Sequence, residues 1–132
     1  MNYILADFVV RIKVASKGHL KSVKVIKTKL VLKILSLIYK LGIIRGFFVL
    51  KKENFILVLL KYKGSRGAFY DISLVSKPGR RAFWKNKYLA SKYTEKSFSG
   101  FYIISTSKGL CTNNDVLFGS NMSGEILLKV KV

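Results

Sequence analysis

The sequence has few of the residues from which catalytic and metal centres are built. Among its 132 residues are one cysteine, Cys111, one histidine, His19, and six carboxylates. A lone cysteine cannot form a disulfide within the chain, and with a lone histidine it cannot build a Cys/His metal site. The carboxylates stand singly, and no Walker sequence or nucleotide-binding glycine loop is present. We therefore expect no enzyme activity, no metal and no cofactor, which argues against a nuclease or an RNA-modifying enzyme.

A long apolar run without charge is also lacking. The densest apolar stretch, residues 30–60, is interrupted by charged residues: Lys33, Lys40, Arg45, Lys51, Lys52 and Glu53. A membrane-spanning helix needs about 18 or more uninterrupted apolar residues, so we expect no membrane span. The N-terminus shows no cationic segment followed by an apolar core and no Arg- and Ser-rich presequence, so we expect no targeting segment there.

Positive charge is the strongest feature of the composition. The chain has 25 Lys and Arg against 6 Asp and Glu, a formal net charge of +19, although half of its residues are apolar. The apolar half can build a core, while the charge predicts a polyanionic partner rather than a small-molecule substrate. The cations are spread along the whole length, which favours a domain surrounded by nucleic acid. The alternatives are a merely soluble basic protein and a cationic protein of membrane surfaces.

The first half of the chain predicts helices and strands in alternation. Apolar residues at helical spacing predict a first helix over residues 3–15. Its apolar stripe consists of Leu5, Phe8, Val9 and Ile12. A second helix is predicted over 29–41, with Thr28 as its N-cap and Gly42 at its C-terminal end. Strands are predicted at 22–27, 47–52, 54–62 and 68–75, the last three as a meander.

The second predicted helix carries a lysine stripe. At 100° per residue, its polar side chains project within one narrow sector: Lys29, Lys33, Ser36 and Lys40. The remaining sides are apolar, so we expect burial on most sides. The stripe is either a solvated face or a surface that meets phosphate.

The only proline marks the boundary between two predicted lobes. Pro78 and Gly79 predict a tight turn, and three cations surround it: Lys77, Arg80 and Arg81. This turn is either a basic surface turn or a phosphate-contacting one. The predicted fold class is α+β with two small lobes. An N-terminal α-β-α-β-β lobe occupies residues 1–75, and a C-terminal, mainly β lobe occupies 76–132.

The second lobe is predicted from short strands. They lie at 82–84, 98–104 and 124–132. The segment between the first two is irregular, with a turn of helix around Tyr88 to Lys92, and residues 113–123 form a loop. Cys111 follows an apolar strand pattern, which predicts a buried or half-buried thiol rather than a nucleophile.

The run Ser105-Thr106-Ser107-Lys108-Gly109 stands at the end of the strand predicted up to Ile104. It combines three hydroxyls, a cation and a glycine. Hydroxyls donate and accept hydrogen bonds, and glycine lets another backbone approach closely. In a chain this basic, the combination suits contact with phosphate and sugar oxygens. The alternative is an ordinary solvated turn.

Several segments together resemble the bacterial-type eighth protein of the small ribosomal subunit. The resemblance is carried by their order and spacing: Ser76 to Arg81, Ile103 to Gly109 and Gly124 to Leu127. Ala6 to Ile12 resembles the first helix of that family, and Thr28 to Leu30 resembles the start of its second. The resemblance covers nearly the whole chain, and the hydroxyl run is its most specific part.

The resemblance implies a structural, non-catalytic RNA-binding protein. Members of that family bind a helical stem in the central domain of small-subunit rRNA, beside neighbouring small-subunit proteins. It implies a main RNA contact in the C-terminal lobe, through Ser105, Thr106, Ser107, Lys108 and Gly109, with Glu125 near the same surface. It implies further contacts of the N-terminal lobe near Thr28 and Lys29. A generic basic RNA-binding protein outside the ribosome is the alternative.

The sequence departs from that family between Gly109 and Gly124. The family has a charged short helix there, whereas this chain reads Thr112 to Gly119 as TNNDVLFG. Lysine far outnumbers arginine, and Ile, Phe, Tyr and Asn are frequent. This composition is typical of an AT-rich coding genome. Since no presequence is visible, we expect a protein made inside an organelle, a mitochondrion first and a plastid as the alternative.

Overall fold

A computed structural model gives the fold. It describes residues 2–50, 52–69, 71–76, 83–84, 100–106, 109–112 and 124–132. The chain divides into two compact units, Met1–Tyr70 and Asp71–Val132. The first holds both helices of the described chain, and strands fill the second. The α+β fold class is confirmed.

The elements are numbered along the chain. Those of the first unit are α1 (Asn2–Lys17), β1 (Ser22–Ile26), α2 (Lys29–Lys40), β2 (Ile44–Val49), β3 (Phe55–Leu60), β4 (Tyr62–Lys63) and β5 (Arg66–Gly67). Those of the second are β6 (Asp71–Leu74), β7 (Phe83–Trp84), β8 (Gly100–Thr106), β9 (Gly109–Thr112) and β10 (Gly124–Lys131).

Helix α1 buries the apolar stripe that its sequence predicts. Leu5, Phe8, Val9 and Ile12 are all buried, and Ala15 extends the stripe by one turn. On the opposite side Asp7 accepts a 2.8 Å hydrogen bond from the Arg11 Nε one turn later. The same guanidinium donates to the Lys24 carbonyl of β1, which attaches the helix to the sheet.

Helix α2 has a defined cap at each end. The Thr28 Oγ1 accepts a hydrogen bond of 3.1 Å from the Val31 N–H, so the predicted N-cap is confirmed. At the other end Gly42 takes φ +77°, and the Ile43 N–H donates to the Ile38 carbonyl. This left-handed glycine satisfies carbonyls that a longer helix would have bonded. The lysine stripe is exposed, as the apolar pattern predicts.

The first sheet is antiparallel with strand order β1-β3-β2. In β3, Ile56, Val58 and Leu60 are buried, and they alternate with half-buried residues. The period of two assigns the buried set to one face. Helix α1 contacts β1 and helix α2 contacts β2, so the core of this unit lies between the helices and that face.

Tyr62 closes the first unit. Its hydroxyl donates to the Leu20 carbonyl at 2.6 Å and lies 3.3 Å from the Ala15 carbonyl. Desolvation raises the pKa of this phenol, which keeps it in its donating form. The ring also contacts His19, 5.5 Å between centroids.

The second sheet corrects the predicted meander. Strand β6 pairs with β10, from Ile72 opposite Val130 to Leu74 opposite Leu128, rather than with β3. The turn that predicted a hairpin with β3 is occupied by the two-residue strands β4 and β5. Strand β10 pairs with β6 and β7 on one side and with β8 on the other, and β9 follows β8. The division by compactness falls after Tyr70, five residues before the boundary predicted from Pro78.

The described part of the chain contains no helix long and apolar enough to cross a membrane. The predicted helical turn around residues 88–92 and the loop at 113–123 lie outside the described residues.

Replacing Thr28 with Ala should lower the free energy of unfolding by about 1 kcal/mol, because an N-cap hydroxyl is lost. Urea unfolding followed by circular dichroism measures this. Thr28→Ser is the matched control and should keep most of the stability, because it retains an accepting oxygen. Equal losses in both variants would contradict a capping role.

Candidate nucleic-acid interface

The hydroxyl run lies in a β-hairpin rather than in a loop. Strand β8 continues through Ser105 and Thr106, and the chain returns as β9, with Thr106 opposite Gly109 and Ser105 opposite Leu110. The sequence prediction ended this strand at Ile104 and missed β9. The polar residues break the apolar pattern, but the ladder hydrogen bonds involve only the backbone and therefore tolerate them.

Thr106 holds the hairpin closed. Its hydroxyl donates a 2.8 Å hydrogen bond to the Gly109 carbonyl across the turn, and the Cys111 Sγ lies 3.7 Å from the same oxygen. Cys111 is half-buried, as predicted. The threonine hydroxyl therefore satisfies the turn, which leaves it less able to donate to a ligand.

Ser105 differs from its neighbour. Its side chain is half-buried, and within the part of the chain that the structure describes its hydroxyl makes no hydrogen bond. A serine hydroxyl has one donor and two acceptor positions. Of the two described hydroxyls, this is the one that can donate to a ligand without opening the hairpin.

Glu125 lies directly opposite Ser105. The register of β10 and β8 pairs these two residues, and Gly124 pairs with Thr106. Cross-strand partners project from the same face with their Cβ atoms about 5 Å apart. A carboxylate acceptor and a free hydroxyl are thus neighbours on one face, together with the hairpin turn.

Gly124 makes this close pairing possible. A Cβ at this position would overlap the Ser105 carbonyl oxygen, with 2.9 Å to the carbonyl carbon and 3.1 Å to the Thr106 methyl group. The sequence analysis did not assign Gly124 to the site. A glycine at the start of a strand pattern is the signal that could have identified it, because such a glycine often marks a close backbone approach.

Gly109 is needed for a different reason. Its φ is +111°, a region that favours glycine, and a Cβ there would meet no atom within 4 Å. The surface around it is open, so another molecule can approach the backbone.

Thr28 and Lys29 lie in the first unit, at the start of α2. Lys29 is exposed and begins the lysine stripe. The Thr28 oxygen accepts the capping hydrogen bond, but its hydroxyl proton is directed elsewhere. Ser107, Lys108, Lys77, Arg80 and Arg81 lie outside the described residues. No group of three or more His, Cys, Asp or Glu residues within reach of one metal ion occurs in the described part.

Comparison with known proteins places the chain in a family. The family model for ribosomal protein S8 matches residues 3–130. The chain belongs to the ribosomal protein S8 family. It is 41% identical over 130 residues to the small ribosomal subunit protein uS8m of Acanthamoeba castellanii, covering 96% of this chain and 98% of the relative.

Bacterial S8 proteins are also similar. Identity is 38% to the uS8 protein of Mycoplasmopsis pulmonis, covering 93% of this chain and 92% of the relative. It is again 38% to the uS8 protein of Syntrophus aciditrophicus, covering 96% and 95%. The resemblance identified from the sequence is therefore confirmed.

Thr106→Val should lower the free energy of unfolding by about 1 kcal/mol, because the Gly109 carbonyl loses its hydroxyl donor. Ser105→Ala is the matched variant on the same strand and should change stability by less than about 0.5 kcal/mol. Urea unfolding of both proteins measures the difference. A larger loss in Ser105→Ala than in Thr106→Val would contradict this division of roles.

Gly124→Ala should destabilise the protein by about 1–3 kcal/mol, because the added methyl group forces β10 away from β8. Gly46→Ala in β2 is the control, since a Cβ there meets no atom within 4 Å. Thermal unfolding of both variants provides the comparison. Similar melting temperatures for the two would show that β10 does not need the close approach.

Proposed function

We propose that this chain, a structural constituent of the small ribosomal subunit, binds a helical stem in the central domain of small-subunit rRNA. The contact surface is formed by the β8–β9 hairpin and the start of β10. The observation that carries this proposal is the pairing of Ser105 with Glu125 beside Gly109, in a chain that matches the S8 family over residues 3–130. Through this contact the protein supports subunit assembly and translation.

The chemistry of these residues suits an RNA stem. The wide minor groove of an RNA helix displays 2′-hydroxyls and base edges, which small polar side chains can reach. Ser105 donates to or accepts from these groups, and the open surface at Gly109 admits the sugar-phosphate backbone. Glu125 accepts a hydrogen bond from a base amino group, which gives a carboxylate a role in an otherwise cationic interface.

Cations supply attraction that does not depend on sequence. The net charge of +19 favours a polyanion, and each neutralised phosphate should add about 0.7–0.9 to the slope of log affinity against log salt. We assign backbone contacts to Lys108 beside the hairpin, to Lys77, Arg80 and Arg81 in the basic turn, and to Thr28 and Lys29 in the first unit. Ser107 completes the hydroxyl run.

We also infer that the protein has no catalytic activity and acts in mitochondria. Its membership of a ribosomal protein family supports the first inference. The similarity to the amoebal uS8m protein, a mitochondrial name, and the lysine-rich composition support the second. A plastid is the alternative location.

A competition titration tests the proposed RNA contact. The full chain is bound to a central-domain stem of the matching small-subunit rRNA, with a scrambled stem as competitor, at two salt concentrations. We expect the cognate stem to win at both concentrations. Ser105→Ala should weaken cognate binding by roughly 3–10-fold, the worth of one hydrogen bond, and leave scrambled-stem binding unchanged.

The control for charge is Lys33→Ala combined with Lys40→Ala in the α2 stripe. If the stripe meets RNA, these changes should lower the salt slope and weaken both stems equally. Equal binding of cognate and scrambled stems by the unmodified protein, with both lost at high salt, would refute the proposal and leave a generic polyanion binder.

A further inference from the structure

The first sheet has an apolar face on the side away from the helices. In β3, Phe55, Leu57 and Leu59 alternate with the buried residues, so they project from the opposite face, and all three are half-buried. Phe48 of β2 lies opposite Leu57, and Ile26 of β1 lies opposite Phe55. We call these five residues the outer face: Ile26, Phe48, Phe55, Leu57 and Leu59.

This composition is unusual for an uncovered sheet. An antiparallel sheet with one face in water normally alternates apolar residues inward with polar residues outward. Here β3 is apolar on both faces, and Phe48 is 58% exposed. Both helices of this unit serve the opposite face. Contiguous exposed apolar surface of this kind marks an interaction site in soluble proteins.

Two depressions flank the outer face. One, of about 590 Å³, lies along Phe48 and Leu59 and reaches the exposed ring of Tyr39. That ring packs edge-on against Phe47, at 84° and 6.4 Å between centroids. The other, of about 430 Å³, lies beside Leu57 and Leu50. Paired concave sites on an apolar surface are suited to holding large side chains of a partner.

The rim of these depressions is mainly cationic. Lys40 and Arg45 line the first, and Lys24 and Lys52 line the second. The one carboxylate among the residues that line them, Glu53, is paired with Lys24 at 3.3 Å. The uncompensated charge at the rim is therefore positive, and it complements a partner with carboxylates flanking an apolar segment.

We propose that the outer face docks an apolar, acid-flanked segment of a neighbouring protein of the small subunit. The inference rests on the chain's place in that subunit, where the occupant is either protein or RNA. RNA bases stack on aromatic rings, but Ile26, Leu57 and Leu59 are aliphatic and offer neither stacking nor hydrogen bonds. An aromatic and aliphatic centre with an Arg- and Lys-containing rim matches the anatomy of a protein–protein interface.

Site-specific photocrosslinking tests the occupant. The full chain carries p-benzoylphenylalanine in place of Phe48, is reconstituted into small subunits and is irradiated after sedimentation with them. We expect a crosslink to one subunit protein, at a peptide that contains apolar residues with Asp or Glu nearby. The same probe in place of Val14, 63% exposed on α1, is the matched control and should not reach that peptide. A crosslink from position 48 to rRNA, or none at all, would overturn the proposal.

A second measurement separates this surface from the RNA contact. Phe48→Ala combined with Leu57→Ala should lower the amount of the crosslinked protein in reconstituted subunits at least twofold. Binding of the isolated variant to the central-domain stem should stay within twofold of the unmodified protein. If stem binding falls as far as partner occupancy, the outer face serves RNA and the inference fails. If the unmodified protein does not discriminate the stem, the proposed RNA contact fails while the docking result still stands.

Discussion

The close pairing of β10 with β8 is the constraint on which the candidate RNA surface depends. Two backbones meet at Gly124 and Ser105 at a distance that excludes any side chain on the glycine. This approach sets the register that places Glu125 opposite Ser105. The hairpin hydrogen bond of Thr106 then fixes the adjoining turn. A hydroxyl, a carboxylate and an open glycine backbone are thereby held on one rigid sheet, which is a better basis for discrimination than a mobile loop.

Much of this arrangement follows from local sequence patterns. The stripe of α1 and both caps of α2 could be predicted because helical spacing and capping chemistry act within a few residues. The partner of β6 could not be predicted, because a strand pattern says which face is buried but not which strand lies beside it. The end of β8 was wrong for a similar reason: Ser105 and Thr106 look like loop residues, yet their backbone continues the ladder.

The site was predictable through resemblance more than through chemistry. A serine, a threonine and a glycine in sequence are common in turns, and only their order relative to the basic turn and Gly124 to Leu127 made them specific. The different duties of Ser105 and Thr106 required coordinates, because they depend on which hydroxyl reaches the Gly109 carbonyl. The outer face of the first sheet was visible in the sequence of β3 as an unbroken apolar run, but its exposure was not.

The order of β8, β9 and β10 along the chain has a consequence for folding. The β8–β9 hairpin joins residues close in sequence and can form on the microsecond scale typical of hairpins. The pairing of Ser105 with Glu125 spans a much longer loop, whose closure entropy must be overcome before the contact forms. A chain synthesised only as far as Thr112 already has its hydroxyl run in a hairpin, yet it lacks the carboxylate and the glycine that complete the surface. Recognition of the stem is therefore acquired late, when β10 inserts between strands that precede it in the chain.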